Sequence, residues 1–170
     1  MTRSILVTLL ALAIGTPSVA GTRFRCLSDG LKPTGKNFFV FHKSRKKRLK
    51  AAKMTESGDV SAGYPVGTIL QLFPFEAMVK RKKGFNPEGN DWEFFQLAVE
   101  ENEKRPGKFK TTIVARGKGE VGNVVGSCQG CHVRLATQHD LVCEFVVGAE
   151  GLGLTDAQIA AIQATDPRCK

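Results

Sequence analysis

The sequence predicts an α+β fold: a mainly antiparallel β-sheet flanked by a few helices. Three observations predict it. Between residues 68 and 116 the chain passes through apolar, β-branched and aromatic segments joined by short turns, with no helical pattern between them. This argues for consecutive antiparallel strands rather than βαβ units. Helix-favouring stretches free of Gly and Pro lie before and after this region. Once an N-terminal export signal is set aside, about 150 residues remain, the length of one domain with a modest core.

That signal is Met1 to Ala20. Arg3 gives a positive start, Ile5 to Ile14 is a short apolar run, and Ser18-Val19-Ala20 ends it with small residues, so cleavage is expected before Gly21. An uncleaved anchor would ask for a longer run, and no other stretch approaches the length of a span. The mature chain, residues 21–170, is therefore expected to be one soluble, periplasmic domain without membrane contact.

The elements follow in order. Phe38-Phe39-Val40-Phe41 fits strand or helix, and Ser44 to Met54 favours helix. Gly63 to Gly67 is a turn, and Thr68 to Phe73 a strand that Pro74 interrupts. Glu76 to Lys83 resumes with Ala77 and Val79 alternating against charges, and Gly84 to Asn90 is turn-rich. Asp91 to Val99, with Trp92, Phe94 and Phe95, is the strongest strand signal. Glu100 to Lys110 reads as a charged loop and Thr111 to Arg116 as a further strand. Gly119 to Val125 is expected to be a helix or turn presenting Cys128. Thr155 is an N-cap candidate for a helix with Ile159 and Ile162 at helical spacing.

Net charge is +9, and +8 once Arg3 leaves with the signal. The excess concentrates between Lys43 and Lys53, a run that serves either as a solvated helix face or as a docking surface for an acidic redox partner.

Cys128-Gln129-Gly130-Cys131-His132 is the C-x-x-C-H arrangement that attaches a c-type haem. Each thiol adds across one porphyrin vinyl group, and His132 reaches the iron as proximal ligand. The competing readings are a redox dithiol, which wants a βαβ setting absent here, and a zinc site completed by His139 and Cys143. An exported haem c protein is the expectation, with one covalent haem and its iron on His132, and nucleic acid is not an expected partner. Cys26, Cys143 and Cys169 allow a single internal disulfide, with Cys143–Cys169 weakly preferred because it would tie down the C-terminal tail.

Gly67-Thr68-Ile-Leu-Gln-Leu72, Asp91-Trp92-Glu-Phe94-Phe95, the C-x-x-C-H motif and Asp140-Leu-Val142 follow one another as in the cytochrome P-460 family, which the chain resembles over residues 37–147. The resemblance implies a cytochrome P-460-like sheet over one haem c with an open distal face. In the family's hydroxylamine-oxidising enzymes a strand lysine is cross-linked to the porphyrin, but the matching position here is Leu72. The resemblance then points to the other branch, the β-sheet cytochromes c′, in which apolar residues cap the distal face and the iron binds nitric oxide.

Leu72, Phe73 and Phe75 are the candidate cap, Trp92 a haem-edge or core aromatic, and Glu76 and Lys80 the candidate distal groups, Lys80 as a displaced cross-linker and Glu76 as proton acceptor. Glu93 is weighed as a second acceptor. Met54, Met78, His42 and His139 are the possible sixth ligands, with Met78 the best placed. Two functions result: a cytochrome that binds a small diatomic or nitrogenous ligand or transfers electrons, and an oxidoreductase acting on hydroxylamine. A homodimer stands among the partner expectations.

Overall fold

The computed structural model describes residues 22–123, 126–147 and 152–170. The expected export signal, Met1–Ala20, lies outside the described residues. Five strands form one antiparallel sheet in chain order: β1 (Phe39–Phe41), β2 (Ile69–Gln71), β3 (Glu76–Lys80), β4 (Trp92–Glu101) and β5 (Phe109–Gly117). Helix α1 (Arg45–Ser57) is inserted between β1 and β2. After the sheet come a short ribbon, β6 (Gly122–Asn123) with β7 (Gly126–Ser127), then α2 (Cys128–Ala136), α3 (Glu144–Val147) and α4 (Asp156–Ala164). The expected α+β class, a mainly antiparallel sheet with a few helices, is the one found.

Local chemistry fixes the helix ends. Ser44 Oγ accepts the Lys47 N–H at the start of α1, and Gly58 closes that helix with φ 73°, a conformation costly for residues bearing a Cβ. At α4, Thr155 and Gln158 exchange hydrogen bonds in a capping box.

Two segments differ from expectation. The charged stretch from Glu100 to Lys110 is strand at its two ends, where β4 and β5 pair through Glu100↔Lys110 and Glu101↔Phe109, and the expected connection is confined to residues 102–108. This hairpin is solvated, so charge does not oppose pairing, and Glu100 accepts a hydrogen bond from Thr112 across the strands. Before α2, Gly119-Glu120 is a turn, one of the two forms expected there, while Gly122–Asn123 is a strand of the β6/β7 ribbon; residues 124 and 125 lie outside the described residues.

The alternation of side chains gives the sheet two apolar faces. Val40, Leu70, Met78, Trp92 and Phe94 lie on one, covered by Ala51 of α1 and by Cys128 and Val133 of α2. Phe41, Ile69, Ala77, Val79, Phe95 and Leu97 lie on the other, against Phe24. On that second face Arg81 and Arg116 both bind the buried carboxylate of Glu93, which assigns Glu93 to a structural ion pair.

The disulfide joins Cys26 to Cys169, with Cα atoms 4.9 Å apart, and not Cys143 to Cys169 as the sequence suggested. The reason is the packing of the two tails: Asp166 accepts the Leu27 N–H at 3.0 Å and is paired with Arg168, which brings the last turn against the first. Cys143 remains a thiol, pushed up to about 12 by burial and by the neighbouring Cys131.

Candidate functional site: the Cys128–His132 turn and its supports

The motif forms the first turn and a half of α2. Ser127 caps it, its Oγ accepting the Gly130 N–H at 3.2 Å. Helical spacing sets Cys128, Cys131 and His132 on neighbouring positions of one side of the helix. Gln129, inside the motif, is buried and pinned from outside: Asn86 Nδ2 donates to Gln129 Oε1 at 2.7 Å and to the Trp92 carbonyl at 2.8 Å. Gly89 lies directly beneath this bridge, where a Cβ would collide with Asn86 Nδ2 and stand 2.9 Å from Gln129 Oε1. The turn-rich segment predicted at residues 84–90 is thus the seat of the motif helix.

Cys128 packs against the main core while Cys131 is exposed; both are free thiols, in a chain that forms a disulfide elsewhere. Burial holds the Cys128 thiol above its ordinary value, and the Glu76 carboxylate facing it adds to the effect. Reactivity toward a vinyl group is therefore not that of a preformed thiolate.

His132 donates from Nδ1 to the Leu141 carbonyl at 2.6 Å, and its ring tilts over Phe94 with centroids 5.3 Å apart. Burial lowers its pKa, against the opposing pull of the Leu141 carbonyl. The result is a neutral imidazole whose tautomer is fixed by a backbone acceptor. Nε2 makes no hydrogen bond among the described residues and carries the lone pair that a metal takes.

Asp140 organises the wall behind His132. Its carboxylate accepts Lys80 Nζ at 2.6 and 2.8 Å and the Tyr64 N–H at 3.0 Å, and its carbonyl accepts Trp92 Nε1–H at 2.8 Å. Lys80 also sits over the Trp92 ring, 4.9 Å from its centre. Lys80 is thereby committed to Asp140, and Trp92, with no exposed surface, is a core anchor whose one polar group is used.

The other predicted residues are spread out. Register places Glu76, Met78 and Lys80 on the same sheet face as Trp92 and Phe94, with Glu76 opposite Gln96 and Met78 opposite Phe94. Leu72 is half-buried between this core and the α4 contact. Phe73 instead packs on Ile159 of α4, and Phe75 stacks on Phe73 while 48% exposed, so the three do not form one wall. Burial raises the Glu76 carboxyl to about 7.

Among the candidate sixth ligands, His42 is engaged at both ring nitrogens, accepting the Ser44 N–H and donating to the Val66 carbonyl. His139 stacks on Phe145. Met54 packs at the core edge and Met78 within it. Among the described residues no three of Cys128, Cys131, His132, His139 and Cys143 bring ligating atoms within 4.8 Å of one another, so a zinc set is not preassembled.

Sequence reasoning did not single out Phe94 as the histidine's neighbour, Asn86 and Gln129 as the helix anchor, or the pairing of Asp140 with Lys80. The Asp-x-Val segment was the one available signal. Comparisons with protein-family models, with curated proteins and with solved structures find no match. No helix among the described residues is long and apolar enough to cross a membrane.

Proposed function

We propose that the chain is a periplasmic mono-haem c-type cytochrome of the cytochrome P-460 kind that binds a small diatomic such as nitric oxide, transfers electrons, or does both. One observation carries the reading. His132 directs Nδ1–H at a backbone carbonyl 2.6 Å away, leaving Nε2 for a metal, one residue beyond two unbridged thiols at haem c spacing. The residues fit the group: Cys128 and Cys131 would hold the porphyrin covalently and His132 its iron. The haem, when bound, supplies redox and gas-binding chemistry.

The chain's own residues would shape what reaches it. The sheet face beside His132 is apolar around Met78, Phe94 and Leu72, which suits an uncharged diatomic that loses little hydration on entry. For electron transfer, α1 carries Arg45, Lys46, Lys47, Arg48, Lys50 and Lys53. Its first turn holds four cations where the helix dipole disfavours them, and none forms an ion pair among the described residues. Charge kept at a cost to the helix supports docking to an acidic partner protein.

The second reading, oxidation of hydroxylamine, is favoured by Glu76 alone. A carboxyl titrating about 7 and facing Cys128 is suited to accept a proton. Leu72 at the cross-linking position and Lys80 held by Asp140 oppose it. The test is to titrate the ferrous protein with nitric oxide and to assay hydroxylamine oxidation with an artificial acceptor. Tight nitric oxide binding with negligible turnover is expected. Robust turnover that Glu76→Gln abolishes would replace the binding reading with the enzyme.

A further inference from the structure

We infer that the buried Lys80–Asp140 ion pair positions the Leu141 carbonyl that receives the His132 Nδ1 hydrogen bond, and so sets the strength of the iron–histidine bond. The inference rests on the haem reading above and adds a positioning role that the motif does not contain.

The starting point is an anomaly of the backbone. Asp140 and Leu141 both have positive φ, 48° and 62°, in succession. Aspartate tolerates this region, but leucine rarely occupies it, and such strain persists only where the surroundings over-determine it. Here they do. Lys80 from β3 binds both carboxylate oxygens, at 2.6 and 2.8 Å, and Tyr64 donates its N–H to Oδ2 at 3.0 Å. Trp92 from β4 donates to the Asp140 carbonyl at 2.8 Å and to Oδ1 at 3.3 Å. Three separate parts of the fold therefore grip one residue.

The next residue inherits that precision. The Leu141 side chain is buried and its N–H binds the Ala136 carbonyl at 2.9 Å, while the Val142 N–H binds the His139 carbonyl at 3.0 Å. The peptide plane between Leu141 and Val142 is held at both ends, and its oxygen faces His132. A purely stabilising role could be filled by an apolar pair of similar volume, since burying charges costs solvation that the pair only partly returns. What an apolar pair cannot do is supply the carboxylate that takes four hydrogen bonds, from Lys80, the Tyr64 N–H and Trp92, beside the one that Trp92 gives the Asp140 carbonyl. A firm Nδ1–H···O=C bond makes the imidazole a stronger donor to iron and favours the ferric state.

The experiment uses the haem-loaded mature protein and the double variant Lys80→Met, Asp140→Asn. It removes one positive and one negative charge together, so the iron sees no change in net charge nearby, and asparagine keeps the left-handed tolerance of position 140. Resonance Raman of the ferrous form reads the iron–histidine stretch, and redox titration reads the midpoint potential. A stretch moved to lower frequency and a raised potential are expected, with Lys80→Arg retaining the unmutated values. If the double variant does not accumulate, Asp140→Glu, which displaces the carboxylate by one methylene, is read the same way. An unchanged stretch and potential in the variant measured would overturn the inference while leaving the haem reading intact. An unmutated protein without covalent haem would overturn both.

Discussion

Glu76 shows how a single residue links fold to chemistry. Its place opposite Gln96 follows from strand register, and the same register sets it, half-buried, on the sheet face against which Cys128 packs. Burial raises its carboxyl to about 7, from 4.5, so between these values the native state binds a proton that the unfolded chain has released. Stability contributed by this group is full below pH 4.5 and is lost as pH rises toward 7. The slope it imposes approaches 1.4 kcal/mol per pH unit, about the limit for one proton. Denaturant unfolding across this pH window should show that decline, and Glu76→Gln should flatten it. A slope equal in both proteins would mean that Glu76 is solvated. At this scale much of the site was legible, because Cys128, Cys131 and His132 are adjacent in sequence and their chemistry is local. Asp140 was not, because its meaning depends on Lys80, sixty positions earlier and brought to it only by the sheet.

At the scale of elements, α2 is a short helix with little apolar surface of its own, and its placement depends on contacts from outside. The Asn86–Gln129 bridge and the clearance at Gly89 provide them. Gly89→Ala forces Asn86 away from Gln129, and a buried amide left without its partner costs about 1–3 kcal/mol. We expect reduced haem incorporation and a lower melting temperature from Gly89→Ala, and little change from alanine at Gly107, whose Cβ would meet nothing within 4 Å in a solvated loop, beyond the cost of its positive φ. Haem content per polypeptide, measured from absorbance, decides it; equal incorporation by both variants would contradict this. Strands β2 to β5 were legible from their apolar and aromatic residues. The charged end of the β4/β5 hairpin was not, because a strand pair solvated on both faces carries no burial pattern and resembles a loop.

For the molecule as a whole, the sheet carries two cores, and the chain ends are fastened on the side away from the motif's helix. Cys26–Cys169 closes a loop spanning 143 positions. Loop-closure entropy for that length, together with typical losses on removing native disulfides, gives a stabilisation of about 2–5 kcal/mol. Cys26→Ser with Cys169→Ser should lower the denaturation midpoint accordingly while leaving the haem spectrum unchanged, since Asp166 still holds Leu27. Loss of the spectrum would show that the tails support the site. Sequence alone could not choose this pairing: three cysteines offer three pairs, and only the docking of the last turn on the first selects among them.

The central claim, covalent haem on Cys128 and Cys131 with His132 beneath the iron, is tested most directly by intact mass and acid-acetone extraction of the mature protein expressed with export and haem-attachment machinery. The account predicts a single species heavier than the polypeptide by one haem, from which acid acetone extracts no porphyrin. A mass equal to the bare polypeptide, or a haem that extracts completely, would contradict it.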